Sequence, residues 1–121
     1  MTDQIAVLVV EDEPLILMDI AFQLEAEGFK VYEATNAEKA IDLLVVNLDI
    51  RIIFTDIDMP GSMDGLKLAA AVRKRWPPVK IIVTSGARMV EITDLPDGSV
   101  FFGKPYDHAA VLGSMRQMLS A

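Results

Sequence analysis

The chain contains no cysteine. Disulfide staples and thiolate metal sites are therefore excluded, and a reducing cytoplasm is the simplest home. Basic residues are few: 11 against 18 acidic ones, for a net charge of -7. Such a surface repels phosphate backbones and argues against direct nucleic-acid binding. The longest basic cluster, Arg73-Lys74-Arg75, is short and sits at a predicted helix end. Long apolar runs are also missing. None approaches the roughly 20 residues needed to span a bilayer, so no membrane association is expected. The apolar run 5–10 is too short for a signal peptide, lacks a basic flank before it, and runs straight into Glu11-Asp12-Glu13.

What the chain does have is a rich apolar supply: 52% hydrophobic residues and a mean hydropathy of +0.36 in 121 residues. That length suits one domain spanning 1–121, able to bury roughly two-thirds of its unfolded surface. The start at Met1 and the end just past the last predicted helix lead us to expect a complete, stand-alone unit.

Short apolar runs at 5–10, 30–34, 50–55, 79–84 and 100–103 recur along the sequence, most of them rich in Val, Ile or Phe. They read as strands. Helix-period segments lie between them. Leu17, Ile20, Ala21 and Leu24 share one face, and Gly28 supplies a stop. Asn36 is a predicted N-cap for a stripe of Ala37, Ala40, Ile41 and Leu44. A third helix follows Asp64, carries Leu66, Ala69 and Ala70, and ends before Pro77-Pro78. The last follows Asp107, with Val111, Leu112, Met115, Met118 and Leu119 on one face. Between 85 and 99 lie Gly86, Pro96 and Gly98, and this fourth crossover reads as a short turn or irregular loop. The alternation predicts a three-layer, doubly wound α/β fold with a parallel sheet and right-handed crossovers.

In such sheets, sites form at the carboxyl ends of strands. The predicted strand ends present Glu11-Asp12, Asp56, Thr84-Ser85 and Lys104-Pro105. A carboxylate ending the apolar run Ile52-Ile53-Phe54-Thr55 is costly unless solvated, paired or metal-bound. Asp56 could equally be a helix cap, and Glu11-Asp12 an acidic first helical turn, since Pro14 fits the first helical position. Their convergence favours a shared hard cation, because carboxylate and water ligands suit Mg²⁺. Lys104 is either an ordinary surface lysine or the cation that neutralises a phosphoryl group. Thr84 is either a strand-end hydroxyl or a donor to a phosphoryl oxygen. Aspartate can act as a nucleophile and form an acyl phosphate.

At this point the sequence resembles the response-regulator receiver domains. The matching stretches are Val9-Val10-Glu11-Asp12-Glu13-Pro14, Thr55-Asp56-Ile57-Asp58-Met59-Pro60-Gly61, Met63-Asp64-Gly65, Thr84-Ser85-Gly86 and Gly103-Lys104-Pro105. Each is weak alone; in this order, at strand ends, they are specific. The resemblance implies a flavodoxin-like (βα)₅ fold with strand order 2-1-3-4-5. It makes Asp56 the phosphoacceptor. Mg²⁺ would be bound by Asp12, Asp56 and the backbone carbonyl of Asp58, with Glu11 acting directly or through water. Thr84 and Lys104 would contact the phosphoryl group, and the peptide before Pro105 would be cis. The donor would be a phosphohistidine on a sensor kinase or a histidine phosphotransfer protein, and the output a protein target. A switch would couple Thr84 to Phe101, which otherwise reads as a core phenylalanine.

Three features depart from the family pattern. Ser62 is inserted between Met-Pro-Gly and Met-Asp-Gly, Phe101 lacks the hydroxyl of the Tyr often found there, and the fourth crossover is short. His108, the single histidine, reads as a surface residue rather than a phosphocarrier. Asp58 is ambiguous: a side chain pointing to solvent would influence phosphoryl lifetime, while its carbonyl would bind the metal. Trp76 is expected to cap the core. Two other functions remain open. Asp56-Ile57-Asp58 mimics the nucleophile loop of haloacid-dehalogenase-type phosphatases, and a pseudo-receiver would bind partners without ever carrying phosphate.

Overall fold

A computed structural model describes residues 4–59, 64–86 and 95–120. The strands are β1 (Ala6–Val10), β2 (Lys30–Ala34), β3 (Ile50–Asp56), β4 (Lys80–Ser85) and β5 (Val100–Gly103). The described helices are α1 (Pro14–Ala26), α2 (Ala37–Val46), α3 (Gly65–Arg75) and α4 (His108–Ser120). All strand pairs are parallel, in the order β2-β1-β3-β4-β5. The fold is therefore the doubly wound α/β sandwich that the alternation of runs predicts, in the flavodoxin-like strand order that the receiver resemblance implies.

The local chemistry explains the boundaries. Pro14 opens α1, where its missing N–H costs nothing, and Gly28 closes the segment at φ 94°. Asn36 and Asp64 cap α2 and α3 by accepting from the Lys39 and Lys67 N–H groups. Asp107 does the same for α4 through the Ala109 N–H. Arg73, Lys74 and Arg75 lie in the last turn of α3, at the negative end of its dipole.

The central strands are buried on both faces, which is why they read as continuous apolar runs. One face packs Leu8, Ile53 and Ile81 against Ala40 and Leu44 of α2 and Leu68 and Val72 of α3. The other packs Val7, Ile52 and Ile82 against Ile20 and Leu24 of α1 and Val111 and Met115 of α4. Trp76, at the C-cap of α3, is half-buried against the first of these clusters.

The expected short fourth crossover falls mostly on residues 87–94, and the Ser62 insertion on 60–63; both lie outside the described residues. The described end of that crossover is a turn, with Gly98 at φ 81° and the Ser99 N–H on the Pro96 carbonyl.

Candidate functional site

The sheet order sets the site. β1 and β3 are neighbours, with Val10 beside Thr55, so the residues that follow leave the sheet side by side. Glu11 continues the ladder by donating its N–H to the Ala34 carbonyl, and Asp56 is the last residue of β3. Helix α1 starts only at Pro14 and has no acidic residue in its first turn, so Glu11 and Asp12 are strand-end residues, not helical ones. On the other flank, Thr84 lies beside Asp56 and Ser85 beside Gly103, which delivers Lys104 to the same edge.

Carboxylate oxygens of Glu11, Asp12 and Asp56 all lie within 4.8 Å of one another, an arrangement that could hold a metal ion. Glu11 and Asp56 are nearly sealed, at 2% and 3% exposure. Lys104 compensates them: its Nζ donates to Asp56 Oδ2 at 3.0 Å and to Glu11 Oε2 at 3.4 Å. The Asp58 N–H donates to Asp56 Oδ1 at 3.1 Å, and the Glu13 N–H to Glu11 Oε1 at 3.2 Å.

The electrostatics follow from this crowding. Burial, reinforced by the Asp56 charge, pushes the Glu11 carboxyl up to about 7. The Glu13 N–H and Lys104 pull it the other way without prevailing. Burial works to lower the Lys104 ammonium, but the hydrogen bond and charge of Asp56, with the charge of Glu11, outweigh it and raise its pKa. The ion pair thus keeps Lys104 a cation.

Two glycines permit the close approach. A Cβ on Gly65 would fall 2.6 Å from the Ile57 Cα, so only glycine lets α3 start against the end of β3. A Cβ on Gly86 would meet the Lys104 stem at 3.1 Å. Beside it, a cleft of about 490 Å³ lined by Ile16, Gly86, Lys104, Pro105 and Tyr106 opens the lysine to solvent. The peptide between Lys104 and Pro105 is cis.

Residues 7–95 match the family of response regulator receiver domains. The chain belongs to that family. Transcriptional regulatory protein FixJ of Azorhizobium caulinodans is 32% identical over 123 residues, covering 98% of this chain and 57% of FixJ. Sensor kinase CckA of Brucella abortus is 31% identical over 117 residues, covering 93% of this chain and 12% of CckA. The chain thus spans less than two-thirds of either relative. A solved receiver protein from Sinorhizobium medicae superposes with a TM-score of 0.89 at 29% identity, covering 98% of this chain and 97% of that one. The receiver domain of the hybrid histidine kinase CckA gives 0.76 at 28% identity, covering 94% and 98%. Two-component signalling is therefore the setting. Receivers are in general phosphoacceptors served by histidine kinases, not enzymes in the usual sense. The phosphatase reading falls, since Asp56 ends the third strand of a receiver.

Asp58 and Phe101 fall where sequence reasoning did not put them, whereas His108 lies at the surface as expected. Asp58 is not left to solvent: the Ser85 hydroxyl donates to its Oδ2 at 2.6 Å. Phe101 is no core residue. It is 37% exposed, and in the ladder it pairs with Val83, while Phe102 pairs with Thr84 and packs on the α1/α4 cluster. Phe101 thus precedes the ladder partner of Thr84 by one residue, and by strand alternation its side chain lies on the opposite face of the sheet from both Thr84 and Phe102. His108 is partly exposed, with Nε2 at 3.4 Å from Asp19 Oδ2. Tyr106, unweighed in the sequence, packs edge-on against Phe54 at 5.6 Å, and burial followed by the charges of Glu11, Asp19 and Asp56 raises its pKa. Among the described residues no helix is long and apolar enough to cross a membrane.

Proposed function

We propose that this receiver takes a phosphoryl group onto an oxygen of Asp56 in a Mg²⁺-dependent reaction. The donor is a phosphohistidine on a sensor kinase or histidine phosphotransfer protein, and the product switches contacts with a downstream protein. The supporting observation is a nearly sealed Asp56 carboxylate that shares one strand-end pocket with two more carboxylates and the Lys104 ammonium at 3.0 Å.

The donor set fits the ion: three carboxylates and no nitrogen or sulfur ligand suit a hard, oxygen-preferring cation. Glu11, Asp12 and Asp56 would hold it, with the Asp58 carbonyl as a further ligand. When bound, Mg²⁺ neutralises charge on the transferring phosphoryl oxygens. The chain's own residues do the rest. An Asp56 oxygen forms the new O–P bond as the donor's P–N bond breaks. The electron pair of that bond stays on the imidazole nitrogen, which takes a proton. Lys104, kept protonated by its partners, shifts from Asp56 to a phosphoryl oxygen, and the Thr84 hydroxyl donates to another. Occupying Thr84 in this way biases the position of Phe101 on the neighbouring strand, one of two states already present before phosphorylation.

The test is incubation with a small phosphodonor such as acetyl phosphate. A receiver of this kind gains an acid-stable, base-labile phosphoryl group with Mg²⁺ present, gains none in EDTA, and gains none as Asp56→Asn. A pseudo-receiver gains none as wild type. Continuous turnover of phosphomonoesters would also defeat the proposal.

A further inference from the structure

Ser85 has no part in the chemistry above, yet it sits where the three site-bearing loops meet. It is 3% exposed and is the last residue of β4. Its carbonyl accepts from the Lys104 N–H at 3.0 Å, which anchors the loop after β5. Its hydroxyl donates to Asp58 Oδ2 at 2.6 Å, which anchors the loop after β3, 27 positions earlier in the chain. The carbonyl of the preceding residue, Thr84, accepts from the Ile57 N–H at 2.8 Å. The end of β4 therefore holds the segment that follows Asp56 by a backbone bond and a side-chain bond.

The consequence lies in the peptide after Asp58. The Asp58 N–H is committed to Asp56 Oδ1 and its side chain to Ser85. The Met59 N–H is committed to the Ile57 carbonyl at 3.0 Å. In a planar trans peptide the carbonyl points opposite to the N–H. Fixing the Met59 N–H therefore fixes the Asp58 carbonyl away from Ile57. Without the Ser85 bond, the turn keeps these backbone bonds but loses the side-chain tie between Asp58 and the end of β4.

We infer that Ser85 is a positioning residue for metal binding: its hydroxyl, by clasping the Asp58 side chain, holds the turn that presents the Asp58 carbonyl beside the three carboxylates. The inference rests on the Mg²⁺ site proposed above. Groups that orient a metal ligand from behind tune affinity without touching the ion.

The experiment is calorimetric titration of the unphosphorylated chain with MgCl₂, so that no phosphotransfer enters the readout. Ser85→Ala weakens Mg²⁺ about five- to tenfold, the range of one lost orienting hydrogen bond. Ser85→Thr, which keeps the hydroxyl, restores most of that loss. Asp58→Ala weakens binding to a similar degree, and the double variant is no weaker than the weaker single one, because both remove the same clasp. Far-UV circular dichroism and urea midpoints verify folding, and Ser85→Cys, near-isosteric but a weak donor, replaces Ser85→Ala if the latter does not fold. A wild-type chain that binds no Mg²⁺ overturns the metal site and this inference together. A wild type that binds, with Ser85→Ala binding equally well or the two single losses adding, overturns the inference alone.

Discussion

Glu11 is the residue on which the pH behaviour of the metal-free site turns. Its carboxyl titrates near 4.5 when free and at about 7 in the fold. Between those values the folded chain binds more protons than the unfolded one. Stability therefore decreases as pH rises through that window and levels off above it. The loss is on the order of 3 kcal/mol. In EDTA, urea midpoints of the wild type should fall between about pH 5 and pH 7.5, and Glu11→Gln should lack that part of the fall. A variant whose midpoints track the wild type at every pH would show that Glu11 is ionised throughout. Asp49 does not obscure the comparison. Although burial alone would raise its pKa, hydrogen bonds from Lys30 and Tyr32 lower it, so its own contribution is lost only at more acidic pH. The convergence of Glu11, Asp12, Asp56, Thr84 and Lys104 was legible because each lies within two residues of the end of an apolar strand. The Ser85 clasp was not. It depends on two side chains meeting across loops, and no spacing rule encodes that.

Helix α1 shows how far a pattern can be read at the scale of an element. It carries two apolar stripes. Leu17, Ile20, Ala21 and Leu24 are all buried, whereas Leu15, Met18 and Phe22 are 80%, 63% and 70% exposed. The first stripe is denser and was identifiable by its i, i+3, i+4, i+7 spacing. Ile20→Ala should therefore cost about 2–4 kcal/mol, through lost burial and an unfilled cavity between α1 and the sheet. Phe22→Ser, two residues away and larger in side chain, should change stability by less than about 0.5 kcal/mol. Chemical denaturation of both variants decides it, and a larger loss for Phe22→Ser would mean that the exposed stripe is covered in solution. Strand β5 marks the opposite limit. Phe101 and Phe102 are adjacent and chemically identical, so the phase of the alternation cannot be told from the sequence, and a one-residue slip exchanges the two faces. Only the pairing with Val83 and Thr84 assigns Phe102 to the core and Phe101 to the outer position.

For the molecule as a whole, the parallel sheet concentrates negative charge at one edge. A chain of net charge -7 places three of its carboxylates together there, with Lys104 as the cation bonded to two of them. Helix caps and core packing elsewhere must absorb that repulsion when no ion is bound, so a bound cation should stabilise the entire fold. A single site filled at a hundred times its dissociation constant contributes about 2.7 kcal/mol, which for a domain of this size raises the melting temperature by roughly 10 °C. The gain depends on pH in a direction set by Glu11. At about pH 8 its carboxylate is already ionised and ready to bind. At about pH 5 it is protonated, and Mg²⁺ must displace that proton. Melting curves with MgCl₂ and with EDTA should therefore separate widely at the higher pH and converge at the lower one. Asp12→Ala should abolish the separation at both. Equal separation at both pH values would show that Glu11 takes no part in holding the ion.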